Sequence, residues 1–131
     1  MRILLVEDNR LNQELERDLL EAAGHTVDIA GDGAAMRARL AEVTPDIVLL
    51  DVLLPGSDGV TLLGELRRSP HAALPVVAVT AQALPGDLER FTAAGFDAVV
   101  TKPIDTRTFV AVVEQQATRR RGGADGNTTS G

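Results

Sequence analysis

Ile47-Val48-Leu49-Leu50-Asp51 is the stretch that decides the fold. Four apolar residues in an unbroken run end in one carboxylate, and Val52-Leu53-Leu54-Pro55-Gly56-Ser57-Asp58-Gly59 then breaks the pattern with turn residues. A short apolar run between breakers reads as a strand buried on both faces, as in a parallel sheet. Asp51 then stands at the strand's carboxyl end, where open α/β sheets place their ligands. A charge there must be paired, solvated or chemically employed, because burying it bare is costly.

Outward from this strand the chain alternates strand and helix. Arg2-Ile3-Leu4-Leu5-Val6 is a second apolar run, and it stops at Glu7-Asp8-Asn9, where Asp8 or Asn9 can cap a helix. Leu11, Leu15, Leu19 and Leu20 fall at helical spacing before Gly24. Thr26-Val27-Asp28-Ile29-Ala30 alternates like an edge strand. A helix follows from Ala34 to Val43, and after the central strand another runs from Val60 to Arg68. Leu74 to Val79 is a buried strand ending at Thr80, and Pro85-Gly86-Asp87 opens a helix through Ala94. Asp97 to Val100 is the fifth strand, ending at Thr101-Lys102-Pro103, and a last helix runs to about Arg120. Five βα units argue for an α/β fold, a doubly wound parallel sheet with helices on both faces and strand order 2-1-3-4-5. The division expected is one domain over residues 1–120 and a flexible tail over 121–131, whose Gly, Asn, Thr and Ser content cannot build a core.

Composition narrows the function. With 131 residues the chain holds a single core, and 44% apolar with 24% charged residues is ordinary for a soluble domain. A net charge of −6 argues against a nucleic-acid partner, and 2% aromatic content, without Trp or Tyr, against base stacking. The absence of cysteine removes disulfides, thiolate chemistry and cysteine-based zinc sites. No run approaches a membrane span or a signal peptide, so a cytoplasmic protein without membrane contact is expected.

The polar residues that follow the apolar runs are Glu7 and Asp8, Asp51, Thr80 and Lys102, and a parallel sheet brings them to one edge. Clustered carboxylates repel one another unless a cation is present, and Mg2+ held by carboxylates and waters is the natural counterion. Lysine adds a point charge suited to phosphate. Phosphoryl transfer to a carboxylate is the chemistry that needs this set. Asp51 is the nucleophile, while Mg2+, Lys102 and the Thr80 hydroxyl meet the phosphoryl oxygens. Each residue alone reads as a helix cap, a turn or a loop residue; their agreement at four strand ends carries the argument.

Leu5-Val6-Glu7-Asp8-Asn9, Asp51 through Gly59, Val79-Thr80-Ala81 and Lys102-Pro103 together resemble the response-regulator receiver domain of two-component signalling, over about residues 2–118. The resemblance implies a flavodoxin-like fold and particular roles. Asp51 is the phosphoacceptor, served by a histidine kinase or a histidine phosphotransfer protein. Asp8 binds Mg2+ directly, Glu7 does so through water, and the Leu53 carbonyl is a further ligand. Lys102 pairs with the phosphoryl group, and the bond to Pro103 is cis. Thr80 is the switch residue, but the position where the family carries Tyr or Phe is Val99 here, so weak switching is expected. Leu53 and Gln82 flank the phosphoryl group, and an apolar Leu53 implies slow loss of phosphate.

The resulting expectation is a stand-alone, single-domain switch that catalyses only its own phosphorylation and dephosphorylation and then binds an unknown output protein. Only residues 121–131 follow the last helix. The alternative is a phosphorelay intermediate with no output face of its own. A phosphatase is disfavoured because Leu53 stands where such enzymes need a second acid, and a receiver fold working without phosphorylation is disfavoured by intact Asp51 and Lys102. Homodimerisation through the fourth helix, fifth strand and fifth helix is left open, since Phe109, Val110, Val112 and Val113 exceed one core stripe. His25 and His71 are expected in solvated loops, Met36 in packing, and Arg119-Arg120-Arg121 complementing the last helix's dipole.

Overall fold

The structure is a computed structural model that describes residues 1–54, 56–81 and 84–126, with the backbone alone for Ser57 and residues 119–126. In chain order the elements are β1 (Arg2–Val6), α1 (Arg10–Ala22), β2 (Thr26–Ala30), α2 (Gly33–Glu42), β3 (Ile47–Asp51), β4 (Leu53–Leu54), β5 (Ser57–Asp58), α3 (Gly59–Arg67), β6 (Val76–Thr80), α4 (Asp87–Ala94), β7 (Ala98–Thr101) and α5 (Phe109–Gly126). Five strands form one parallel sheet in the order β2-β1-β3-β6-β7. With the antiparallel β4–β5 ribbon set aside, these strands taken in chain order stand 2-1-3-4-5, as expected. The ribbon is an addition, built where the sequence shows only turn residues; Leu53 pairs with Asp58 and Leu54 with Ser57.

The strands are buried because each residue finds a helix on its own side. Leu4, Val6, Val48, Leu50, Val76 and Ala78 pack on one face against Met36 of α2, Leu62, Leu63 and Leu66 of α3, and Phe91 of α4. Ile3, Leu5, Ile47, Leu49, Val77 and Val79 pack on the other against Leu20 of α1 and Phe109, Val113 and Ala117 of α5. This period-two division of a continuous apolar run is the signature of a sheet covered on both sides. Arg67 fastens the edge near β6, donating to the carbonyls of Ala72 and Gly95 (both 2.9 Å) and to Asp97 (3.1 Å). Gly95 closes α4 at φ 117°, a conformation that favours glycine.

Several local expectations are corrected. The leucine stripe of α1 does not all face inward: Leu20 is buried, but Leu11 is 74% exposed and Leu15 half-exposed, and Glu16 takes the inward position one turn before Leu20. His25 is not solvated. Its Nδ1 lies 3.1 Å from the Met1 amine and its Nε2 2.6 Å from Glu114 Oε2, so it ties the start of β1 to α5. His71 is half-buried, its backbone N–H donating to Ser69 Oγ (3.0 Å). Met36 is core, as expected. α5 continues to Gly126, beyond the Arg120 at which composition ends it, while residues 127–131, Pro55 and Gln82 lie outside the described residues. Of the four apolar residues Phe109, Val110, Val112 and Val113, more than one core stripe needs, Phe109 and Val113 are buried and Val110 and Val112 half-buried.

Candidate functional site

The ends of four strands, β1, β3, β6 and β7, build the site. Beyond β1, the Glu7 N–H extends the sheet ladder to the Ala30 carbonyl (3.0 Å), which fixes the backbone where the chain turns into α1. Asn9 caps that helix by accepting from the Asn12 N–H (3.0 Å). The same turn locks Glu7: its Oε2 accepts from the Asn9 N–H (3.1 Å), and the Gln13 amide donates to the Glu7 carbonyl (2.6 Å). Glu7 is buried, whereas Asp8 beside it is exposed.

Asp51 closes β3 and is 5% exposed. Its Oδ1 accepts from the Leu53 N–H (2.9 Å), so the first residue of the ribbon orients the carboxylate. The ribbon is held in turn by the Gly59 N–H on the Val52 carbonyl (2.9 Å) and by Asp58, which caps α3. No side chain fits at Gly59: a Cβ there stands 2.6 Å from Val52 Cα and 2.9 Å from the Asp51 carbonyl oxygen, both backbone atoms. Gly59→Ala is therefore expected to lower stability by about 2 kcal/mol. Denaturant unfolding checks this, and an unchanged midpoint would show that the loop relaxes freely.

Lys102 follows β7, its N–H donating to the Thr80 carbonyl (2.8 Å), and its bond to Pro103 is cis. The ammonium reaches across the sheet edge to Glu7 Oε1 (2.5 Å) and Asp51 Oδ2 (3.2 Å). Thr80 is buried one residue past Val79, the register partner of Asp51. Glu7, Asp8 and Asp51 each offer an oxygen, all within 4.8 Å of one another. Oxygens on one Mg2+ at about 2.1 Å lie within about 4.2 Å of each other, so this hard, anionic donor set fits such an ion with a small closure. Leu53, read as a ligand through its carbonyl, adjoins this group and is half-exposed through its side chain.

The electrostatics follow from one cation among several acids. Burial pushes Glu7 above its ordinary pKa and Asp51 adds to the shift, against the bonds from Lys102 and Asn9. Burial alone would lower Lys102, but its bond to Glu7 and the charges of Asp51 and Glu7 outweigh that, and its pKa is raised. A fourth carboxyl, missed in the sequence, lies behind these. Glu16 is 1% exposed, and its Oε1 has no hydrogen-bond partner. Burial first, then the charge of Glu7, raise it from 4.5 to about 7, with Asp51 adding and Lys102 opposing. Its helical register with Leu20 was the signal for it, hidden because apolar periodicity counts only apolar residues.

Val99 is half-buried at the fringe of the core. Where β7 meets the start of α5, a hollow of ≈ 240 Å³ is lined by Val99, Thr108, Phe109 and Val112. Among the described residues no helix is long and apolar enough to cross a membrane.

Known proteins resemble this chain in sequence and fold. The family model of the response regulator receiver domain matches residues 3–114. The chain is 35% identical over 113 residues to the polar-differentiation response regulator DivK of Brucella anthropi, covering 86% of this chain and 92% of that one. A putative response regulator from Chloroflexus aurantiacus superposes with a TM-score of 0.84 at 30% identity, covering 90% of this chain and 98% of that one. The receiver domain of the sensor histidine kinase PA1611 from Pseudomonas aeruginosa, whose active-site cleft coordinates a magnesium ion, superposes with a TM-score of 0.80 at 31% identity, covering 88% and 96%.

Proposed function

The chain belongs to the response regulator receiver family, and on that premise we propose that it is a phosphorylation switch whose Asp51 takes a phosphoryl group from the phosphohistidine of a histidine kinase or histidine phosphotransfer protein. The observation that carries the reading is the single ammonium of Lys102 bridging Glu7 and Asp51 beside three convergent carboxylate oxygens.

In the step itself, an Asp51 carboxylate oxygen attacks phosphorus, the nitrogen–phosphorus bond of the donor breaks, and the imidazole nitrogen keeps the electron pair and takes up a proton. Asp51 needs no base, because a carboxylate is already ionised near neutrality. The Leu53 N–H holds one Asp51 oxygen and so orients the other. Lys102 already lies against Asp51 and neutralises charge on the phosphoryl oxygens, and the Thr80 hydroxyl offers them a donor. Glu7, Asp8 and Asp51 would hold Mg2+, which supplies charge neutralisation at the phosphoryl oxygens when bound. The protein turns over only its own phosphorylation state, in the cytoplasm, and reports it to an output protein. Val99 gives the Thr80 movement no ring to displace, so the readout on the face of α4, β7 and α5 is small.

A relay between histidine proteins is the second reading, favoured by the likeness to a receiver domain carried by a sensor histidine kinase. Preferential binding of a non-kinase partner to the phosphorylated form separates switch from relay. For the central claim, incubation with a small acyl phosphate should add one phosphoryl group by intact mass when Mg2+ is present and none when it is chelated. An unaltered mass with Mg2+, or equal labelling without it, rejects the reading.

A further inference from the structure

We infer that Glu16 is a positioning residue for the divalent cation: a buried carboxyl behind the Glu7–Asp51–Lys102 cluster that strengthens cation binding there without being a ligand. The inference rests on the cation reading of the site given above.

Glu16 is anomalous as structure. It stands on the inward face of α1, one turn before Leu20, which packs against Phe109, Val113 and Ala117 of α5. A leucine there would extend that apolar surface, and a neutral amide would avoid a buried charge. Instead the position holds a carboxyl whose Oε1 meets no donor. The charged groups around it are Glu7 beyond β1, Asp51 at the end of β3 and Lys102 beyond β7. α5 brings the apolar Phe109, Val113 and Ala117 to that side of the sheet, with the uncharged Gln116 also buried on that helix and Glu114 bonded to His25.

The charge count explains what such a group does. Glu7, Asp8 and Asp51 carry three negative charges against one positive charge on Lys102, and a divalent cation cancels the remainder. Without the cation, Glu16 is repelled by Glu7 and Asp51, and burial compounds the effect, so its pKa stands near neutrality. When a doubly charged ion enters the cluster, the same low-dielectric surroundings turn the ionised Glu16 from a liability into an attraction. The carboxyl gives up its proton as the ion binds, which makes cation affinity depend on pH through Glu16 beyond the ordinary titration of the ligands.

Calorimetric Mg2+ titration of the whole chain, wild type against Glu16→Gln and Glu16→Leu, tests this. Near pH 8 both variants should bind Mg2+ about tenfold more weakly than wild type, and at about pH 6, where Glu16 is protonated, the deficit should shrink to about twofold. Thermal unfolding of each protein verifies that it is folded, and the leucine variant, which removes the charge without adding a polar group, decides if the glutamine variant is not. Equal affinity at pH 8 overturns the inference while leaving the cation site intact. A deficit of the same size at both pH values also overturns it, since packing does not titrate. If none of the three proteins binds Mg2+, the cation reading fails and the inference falls with it.

Discussion

Asp51→Ala should take up no phosphoryl group under conditions in which the wild type is labelled. Intact mass after incubation with an acyl phosphate and Mg2+ reads this directly, and a variant that still gains one phosphoryl group would move the acceptor elsewhere. The total loss is expected even though two other carboxylates lie close by. Glu7 is more deeply buried than Asp51, and both its oxygens are engaged, Oε1 by Lys102 and Oε2 by the Asn9 N–H. Asp8 is exposed, and Lys102 bonds Glu7 and Asp51 instead, so Asp8 lacks the fixed approach that raises rates by orders of magnitude. Asp51, like Glu7, has a backbone N–H on one oxygen and the ammonium on the other. Its contact with Lys102 is longer, 3.2 Å against 2.5 Å, and it is the less buried of the two, so its second oxygen is the one more readily released to attack phosphorus.

Loss of labelling must not be mistaken for loss of fold, and the electrostatics say how to tell. Removing one of three mutually repelling acids leaves Lys102 paired with Glu7, so the variant should be at least as stable as the wild type in metal-free buffer. Asp51→Asn keeps an acceptor for the Leu53 N–H and should behave likewise. A large drop in thermal midpoint for both would mean that Asp51 is a structural residue first.

Much of this was legible in the sequence, for a definite reason. Strands buried on both faces must be apolar throughout, so Ile47–Leu50 and Val76–Val79 stand out as runs, and the polar residues that end such runs are the ones the sheet brings to one edge. Asp51, Thr80 and Glu7 were readable on that ground. Lys102 was readable because the run before it is also a strand. What could not be read depends on contacts between distant parts of the chain. Leu11 and Leu15 match a core pattern but are exposed, Leu11 more than Leu15, while Glu16 breaks the pattern and is buried. His25 looks like a loop residue until Glu114, 89 positions away, and the Met1 amine arrive on either side of its ring. The β4–β5 ribbon forms within a stretch of turn residues because Gly59 lets the chain close against Val52, which no local propensity announces.

Glu16→Leu should stabilise the metal-free protein by about 3 kcal/mol near pH 8, and that gain should fade on acidification. The sign follows from the direction of the shift. Glu16 in the folded protein titrates at about 7, against an ordinary 4.5 in the unfolded chain. Between those values the folded state binds the proton more tightly, so stability falls as pH rises through that window. Below it the carboxyl is neutral in both states and costs nothing by this route; above it the full penalty of a buried, partnerless charge is present. Leucine has no such dependence and adds apolar contact beside Leu20, while every other titrating group is common to both proteins. Denaturant unfolding across that pH range in chelated buffer should give two curves that converge toward acid and diverge toward base. A constant gap would mean that leucine acts by packing alone and that Glu16 never carries its charge inside the fold. Saturating Mg2+ should narrow the gap at high pH, because the cation stabilises the charged carboxyl of the wild type and has no counterpart to stabilise in the variant.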